Sequence, residues 1–95
     1  MFAVIYRWRL HPGHEESFTT GWELVTAAIR NTCGSYGSRL HRADDGTWVA
    51  YALWPDAESR KRCRHGEHEG ERLMAEAVSE NLPQITMTVA SDLLA

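Results

Sequence analysis

The sequence predicts an α+β domain of the ferredoxin-like type, with strands and helices in the order β-α-β-β-α-β. Three observations carry this prediction. Residues 2–10 have the two-sided alternation of a strand, Asp45-Gly46 lies between two further alternating segments, and two stretches carry apolar residues at helical spacing. This order places two helices on one face of a four-stranded antiparallel sheet. The 95 residues are expected to form a single domain, 1–95.

The first strand is predicted from the segment FAVIYRWRL at residues 2–10. Successive side chains of a strand point to opposite faces, so Tyr6 and Trp8 share one aromatic-rich face. Arg7 and Arg9 share the other face. One face of this strand is therefore expected to be buried in the core, and the other face is expected to have a different function.

The first helix is predicted to follow Pro12-Gly13 and to run to about Arg30. Glu15 and Glu16 place negative charge where a helix N-terminus favours it. Gly21, inside this helix, indicates either close packing against the sheet or space for a ligand. The apolar stripe of the helix consists of Phe18, Trp22, Val25 and Ile29.

The remaining elements follow from turn residues and alternation. Residues 36–42 and 47–54 are predicted to be strands joined at Asp45-Gly46. Residues 56–80 are helical in pattern but are interrupted by Gly66 and Gly70. A last strand is predicted where residues 85–90 alternate.

Charge and composition exclude several classes of protein. A net charge of −3 argues against a nucleic-acid partner, which would favour a basic face. No apolar run approaches the length of a membrane span, so neither a membrane partner nor a secretion signal is expected, and the protein is predicted to be cytoplasmic. In that compartment Cys33 and Cys63 are expected to be reduced thiols, with a disulfide as the less favoured alternative.

The segment 59–71 is charged and holds two glycines, so we interpret it as a solvated, mobile flap. Cys63, His65 and His68 within it have metal-ligating side chains. They lack a fourth ligand and fit no standard zinc spacing, so no metal site is predicted.

Five aromatic side chains form the candidate substrate site, either as plain core or as the lining of a cavity for a flat aromatic molecule. Arg39 and His41 are the candidate catalytic groups: His41 as a general base, and Arg39 as the partner of a substrate oxyanion. Their contribution depends on which face the strand 36–42 turns towards the helices. The five aromatic residues are Tyr6, Trp8, Trp22, Tyr51 and Trp54.

The segments AVIYRWRLHPGHEESF and GSRLHRADDGTWVAYALWP resemble the antibiotic biosynthesis monooxygenase superfamily. The resemblance covers residues 2–55 and extends to the remainder by topology. It implies a dimeric α+β barrel, hence a homodimer of ferredoxin-like subunits. It also implies a cofactor-independent oxygenase as one activity of such proteins.

The expected function is therefore cofactor-independent oxidation, by O₂, of a small phenol-, anthrone- or quinol-like molecule. The alternative is a non-catalytic module of the same fold that binds a small ligand or a partner. A heme-degrading monooxygenase is a weaker alternative, because Tyr6, Cys63 and Leu73 occupy the positions onto which the catalytic Asn, the Trp and the heme-ligating His of those enzymes fall.

Overall fold

The computed structural model describes residues 1–94 and has the predicted ferredoxin-like order, with one helix divided in two. The second helical region forms two helices, because residues 63–67 between them are not helical. The elements are β1 (Phe2–Leu10), α1 (Glu15–Cys33), β2 (Gly37–Arg42), β3 (Trp48–Trp54), α2 (Ala57–Arg62), α3 (His68–Ala77) and β4 (Val78–Thr88).

The four strands form one antiparallel sheet in the order β2-β3-β1-β4. The last strand starts at Val78, well before the predicted start near residue 85. Its alternation is hidden in the sequence because the β1–β4 pairing shifts register twice, between Ile5 and Arg7 and between Arg9 and Leu10. Pro83 is accommodated because β4 is an edge strand.

The core lies between the sheet and the helices. Val4 of β1 and the alternate residues Ala50, Ala52 and Trp54 of β3 are buried there. Phe18 of α1 is fully buried above them. The small alanines of the central strand leave room for large aromatic side chains from the neighbouring elements.

Helices α1 and α3 approach each other closely at Gly21 and Gly70. A Cβ atom on Gly21 would lie 2.7 Å from the Gly70 carbonyl oxygen and 2.9 Å from Leu73 Cβ. A Cβ atom on Gly70 would lie 2.8 Å from the Gly21 carbonyl oxygen. Gly21 therefore serves close packing, as one of the two interpretations held, but the packing partner is helix α3 and not the sheet.

Cys33 and Cys63 form a disulfide, with their Cα atoms 5.3 Å apart. The expectation of reduced thiols is therefore wrong for this structure. The two residues are separated by 30 positions in the sequence. Folding brings the end of α1 beside the end of α2, which the spacing alone does not reveal.

The segment 59–71 is more ordered than the flap interpretation implied. Residues 59–62 belong to α2, and residues 68–71 belong to α3. The loop of residues 63–67 is tethered by the disulfide at one end, and Gly70 packs against α1 just beyond the other. The high mobility expected of this segment stays a prediction, and it is strongest for residues 63–67, which belong to no helix.

Candidate active site

A cavity of about 160 Å³ opens between the helix-covered face of the sheet and helices α1 and α3. We call it the aromatic cavity. Its volume is close to that of an engineered apolar cavity, about 150 Å³, that accepts a single benzene ring. The lining comprises Tyr6, Trp8, Trp22, Val25, Thr26, Ile29, Ser35, Ser38, Ala52, Trp54 and Met74.

The aromatic rings at the base of this cavity pack in a fixed arrangement. The rings of Tyr6 and Trp8 are parallel, with centroids 5.9 Å apart. Trp8 then meets the buried Phe18 edge to face at 5.1 Å. Offset-stacked and edge-to-face geometries are the favoured ones for aromatic pairs, so these rings form a preorganised wall.

Two polar atoms in the lining are buried and, within residues 1–94, have no hydrogen-bond partner: Trp54 Nε1 and Ser38 Oγ. Trp54 is only 3% exposed. An unpartnered buried polar group costs about 1–3 kcal/mol, so each such atom needs an explanation. The indole N–H can only donate and the hydroxyl can donate, so each lacks an oxygen acceptor within residues 1–94.

Arg60 of α2 contacts the aromatic cavity through Tyr6. Its Nε donates a hydrogen bond to the Tyr6 hydroxyl oxygen at 3.2 Å, and its guanidinium carbon lies 5.7 Å from the centre of the Tyr6 ring. Its Nη2 donates to Gln84 Oε1 at 2.8 Å. Because the Tyr6 oxygen accepts from Arg60, the Tyr6 proton is free to donate to a ligand.

Sequence reasoning missed Arg60 because it lies in the segment interpreted as a solvated flap. The preceding Asp56 was a usable signal, since an Asp after Pro55 predicts the start of a helix. Its carboxylate accepts a hydrogen bond from the Ser59 backbone N–H at 2.7 Å. That bond is the main cause of the lowered pKa of Asp56.

The structure separates Arg39, His41 and Tyr51 from the aromatic cavity. Ser38 faces the cavity, so strand alternation turns Arg39 and His41 to the opposite side of the sheet. With Tyr51, the cross-strand partner of Arg39, they line a shallow depression there. The expectation that these three residues share one pocket with Tyr6 and Trp22 is corrected accordingly.

The other four predicted aromatic residues do share the cavity: Tyr6, Trp8, Trp22 and Trp54. Periodicity found them because the stripe of α1 and the alternation of β1 converge between the same layers. Ser35, just before β2, and Ser38, within it, were missed, since a serine at such positions carries no distinctive signal.

The candidate metal ligands are engaged elsewhere. Cys63 is in the disulfide, and His65 Nε2 lies 3.2 Å from Glu71 Oε1. Over residues 1–94, no three His, Cys, Asp or Glu side chains are grouped as a metal site would require. In the same part of the chain, none of the helices has the length and apolar character needed to cross a membrane.

Three solved structures illustrate the fold of this chain. SnoaB, a cofactor-independent oxygenase from Streptomyces nogalater, superimposes with a TM-score of 0.79 at 17% identity, over 97% of this chain and 95% of its own. A provisionally named antibiotic biosynthesis monooxygenase from Bordetella bronchiseptica gives 0.78 at 18%, over 95% and 97%. Another from Nitrosomonas europaea gives 0.76 at 12%, over 96% and 100%.

No family model and no curated protein sequence matches the chain. At the identities of these solved structures, the likeness concerns the fold. The chain therefore has the ferredoxin-like α+β fold found in antibiotic biosynthesis monooxygenases.

Proposed function

We propose that this protein is a cofactor-independent monooxygenase acting on a small phenol- or quinol-like molecule. The observation that carries the proposal is the aromatic cavity with its buried, unpartnered donors at Trp54 and Ser38. The fold shared with SnoaB, which is a cofactor-independent oxygenase, supports the same class of reaction.

The cavity volume favours a single aromatic ring over a tricyclic anthrone. At about 160 Å³ it has room for one ring. A larger substrate would have to project through the mouth of the cavity. The same argument disfavours heme, because a tetrapyrrole is several times larger than one ring.

The proposed reaction converts a phenol to a quinone. The substrate loses its phenolic proton to solvent water and enters as the phenolate, and the electron-rich phenolate reduces O₂ directly. One oxygen atom replaces the single hydrogen at the para carbon as a carbonyl, the phenolic C–O becomes the second carbonyl, and the two hydrogens lost leave with the other oxygen atom as water, so a four-electron oxidation of the ring balances the reduction of O₂. No resident cofactor is needed for this balance.

The residues of the cavity would bind, orient and stabilise the phenolate. Trp54 Nε1 and Ser38 Oγ would donate hydrogen bonds to one substrate oxygen. Tyr6, whose oxygen accepts from Arg60, would donate at the other side of the cavity. Donors aimed at developing negative charge in a dry site stabilise it far more than water-exposed donors do.

The competing function is a non-catalytic ligand-binding module, and one observation favours it. Within the described chain, the cavity lining contains no histidine, carboxylate or lysine that could act as a general base. A module that binds an aromatic ligand needs only the aromatic rings and the hydrogen-bond donors of the cavity, and no catalytic base.

Oxygen uptake without added cofactor separates these two functions. Uptake should be measured with 2-methoxyphenol, 1-naphthol and anthrone as a series of increasing size. Trp54→Phe removes the indole N–H and should lower kcat/KM by about tenfold, the equivalent of one hydrogen bond to a charged oxygen. Trp48→Phe is the matched control, because Trp48 packs on Phe18 outside the cavity lining. Binding without oxygen uptake would instead establish the module.

We also propose that the protein is a homodimer formed through the sheet face that carries no helices. That face exposes apolar side chains, including Ile85 at 47% exposure. On the same face, Arg7 Nε is buried and has no acceptor among residues 1–94. A second copy would cover the apolar residues and supply acceptors at the edge of the interface.

A further inference from the structure

We propose that the Cys33–Cys63 disulfide is a redox latch that holds Arg60 against Tyr6 and thereby controls ligand binding in the aromatic cavity. The inference concerns regulation of the site and rests on the proposed function only in taking that cavity as the ligand site.

Helix α2 has few attachments to the rest of the molecule. None of its residues is buried. Its side-chain attachments are the Arg60 hydrogen bonds to Tyr6 and Gln84, and its covalent attachment is the disulfide at Cys63, the residue that caps its C-terminus. An element without buried apolar contacts has little free energy opposing local detachment.

The disulfide is coupled directly to Arg60. The backbone N–H of Cys63 donates to the carbonyl oxygen of Arg60 at 3.1 Å, so the two residues share the last turn of α2. At the other end, Cys33 is the last residue of α1, and α1 supplies Trp22 and Ile29 to the cavity. The bond thus ties the helix that carries Arg60 to the helix that forms one cavity wall.

The sulfur atoms are accessible to a reductant. Both cysteines are only partly buried, and they line a surface depression together with Arg62 and Arg64. A dithiol would break the Sγ–Sγ bond by exchange, supplying two electrons and two protons and becoming a disulfide itself.

Opening the latch would act on the ligand through Tyr6. When α2 detaches, the Tyr6 oxygen loses the Arg60 donor, and the hydroxyl is no longer held with its proton directed to a ligand. Disulfides in a reducing compartment are typically transient and redox-sensing, which is consistent with this role in the cytoplasm predicted for this protein.

The test is the affinity for 4-nitrophenol, a single-ring ligand with acceptor oxygens, measured by quenching of tryptophan fluorescence. Wild type is compared in the oxidised form and after reduction with tris(2-carboxyethyl)phosphine, with thiol titration of each sample. Reduction should raise Kd by about tenfold, the loss of one charge-assisted hydrogen bond. Cys33→Ser/Cys63→Ser should show the same Kd without reductant.

The decisive comparison is between the Kd values of Arg60→Ala and of wild type, each in the oxidised and the reduced form. In its oxidised form Arg60→Ala should bind as weakly as reduced wild type, and reduction should not weaken it further, because the latch acts through Arg60. Arg62→Ala, on the same helix, is the matched control and should keep both the affinity and the redox response. Arg60→Ala retains the disulfide, so this comparison stands even if the double-serine variant fails to fold.

Three results would overturn the inference. A wild-type Kd unchanged by reduction would show that the disulfide does not control ligand affinity. A full redox response in Arg60→Ala would mean that the disulfide acts by another route. Failure of oxidised wild type to bind the probe would also show that the aromatic cavity is not the ligand site on which the proposed function depends. Redox-sensitive binding without oxygen uptake would instead contradict only the proposed oxygenase reaction.

Discussion

Replacing Gly21 by alanine tests the close approach of helices α1 and α3 that frames the cavity. The new Cβ would lie 2.7 Å from the Gly70 carbonyl oxygen, so the helices would have to separate by about 0.7 Å to reach the ordinary 3.4 Å. Overpacking of this kind costs about 1–3 kcal/mol, and a gap of that size forfeits part of the neighbouring dispersion contacts. Alanine returns about 1 kcal/mol of helix propensity.

Because the added methyl group meets both a backbone oxygen and Leu73 Cβ within 3.0 Å, the overpacking cost lies in the upper half of that range, about 2–3 kcal/mol. The expected net loss for Gly21→Ala is therefore about 1–2 kcal/mol, or roughly 5–15 °C in Tm for a domain of this size. Urea unfolding and thermal melting measure it. Gly66→Ala is the matched control: an added Cβ there meets no atom within 4 Å. That control should be neutral or slightly stabilising, because alanine restricts the unfolded chain.

Gly21→Ala and Gly70→Ala should cost less together than the sum of the single variants. Once the first methyl group has separated the helices, the second enters a gap that already exists. A Gly21→Ala protein as stable as the Gly66→Ala control would refute the argument. It would mean that the helix interface is soft enough to absorb a methyl group against a backbone oxygen.

Four further outcomes are expected. Light scattering at micromolar concentration should give about twice the chain mass of 10.8 kDa, and a persistent monomer would remove the proposed dimer. Asp56→Asn should flatten the fall in Tm below about pH 4: the pKa of Asp56 is lowered by its hydrogen bond from Ser59, so its stabilisation is present above the unfolded pKa, near 3.9, and is lost as pH falls through the folded value. Zinc and chelators should leave Tm unchanged, because Cys63 is in the disulfide; a rise of several degrees with zinc would contradict this. Amide exchange should be fastest, among internal segments, in residues 63–67, and protection there equal to that of β3 would contradict the assignment.

The fold was predictable because its signals are local. The alternation of β1, the Asp45-Gly46 turn and the apolar stripe of α1 each depend on a few neighbouring residues, and together they allow few arrangements. The early start of β4 was not predictable, since two register shifts mask its alternation. The division of the second helical region was indicated by Gly66, which lies in the break at residues 63–67, whereas Gly70 lies inside α3, where it packs against α1.

The candidate site was predictable only where the apolar periodicity of a helix and the alternation of a strand place side chains in the same layer. Tyr6 and Trp8 follow from alternation alone, and Trp54 shares the parity of the buried Ala50 and Ala52. Tyr51 has the opposite parity, so its separation from the cavity was available from the sequence. The face taken by Arg39 and His41 required the register between β2 and β3.

The aromatic cavity exists because small and large residues are divided between its walls. Ala52 on β3 has a small side chain and leaves space under the helices. The rings of Tyr6 and Trp54 border that space. Gly21 and Gly70 allow α1 and α3 to approach closely, because a Cβ atom at either position would lie within 3.0 Å of the other residue's carbonyl oxygen. Among the three helices of residues 1–94, α2 alone has no buried residue, and it is the helix that carries Arg60. The molecule thus combines an aromatic cavity with one weakly packed helix, which is attached by the two Arg60 hydrogen bonds and by a disulfide that a dithiol can break.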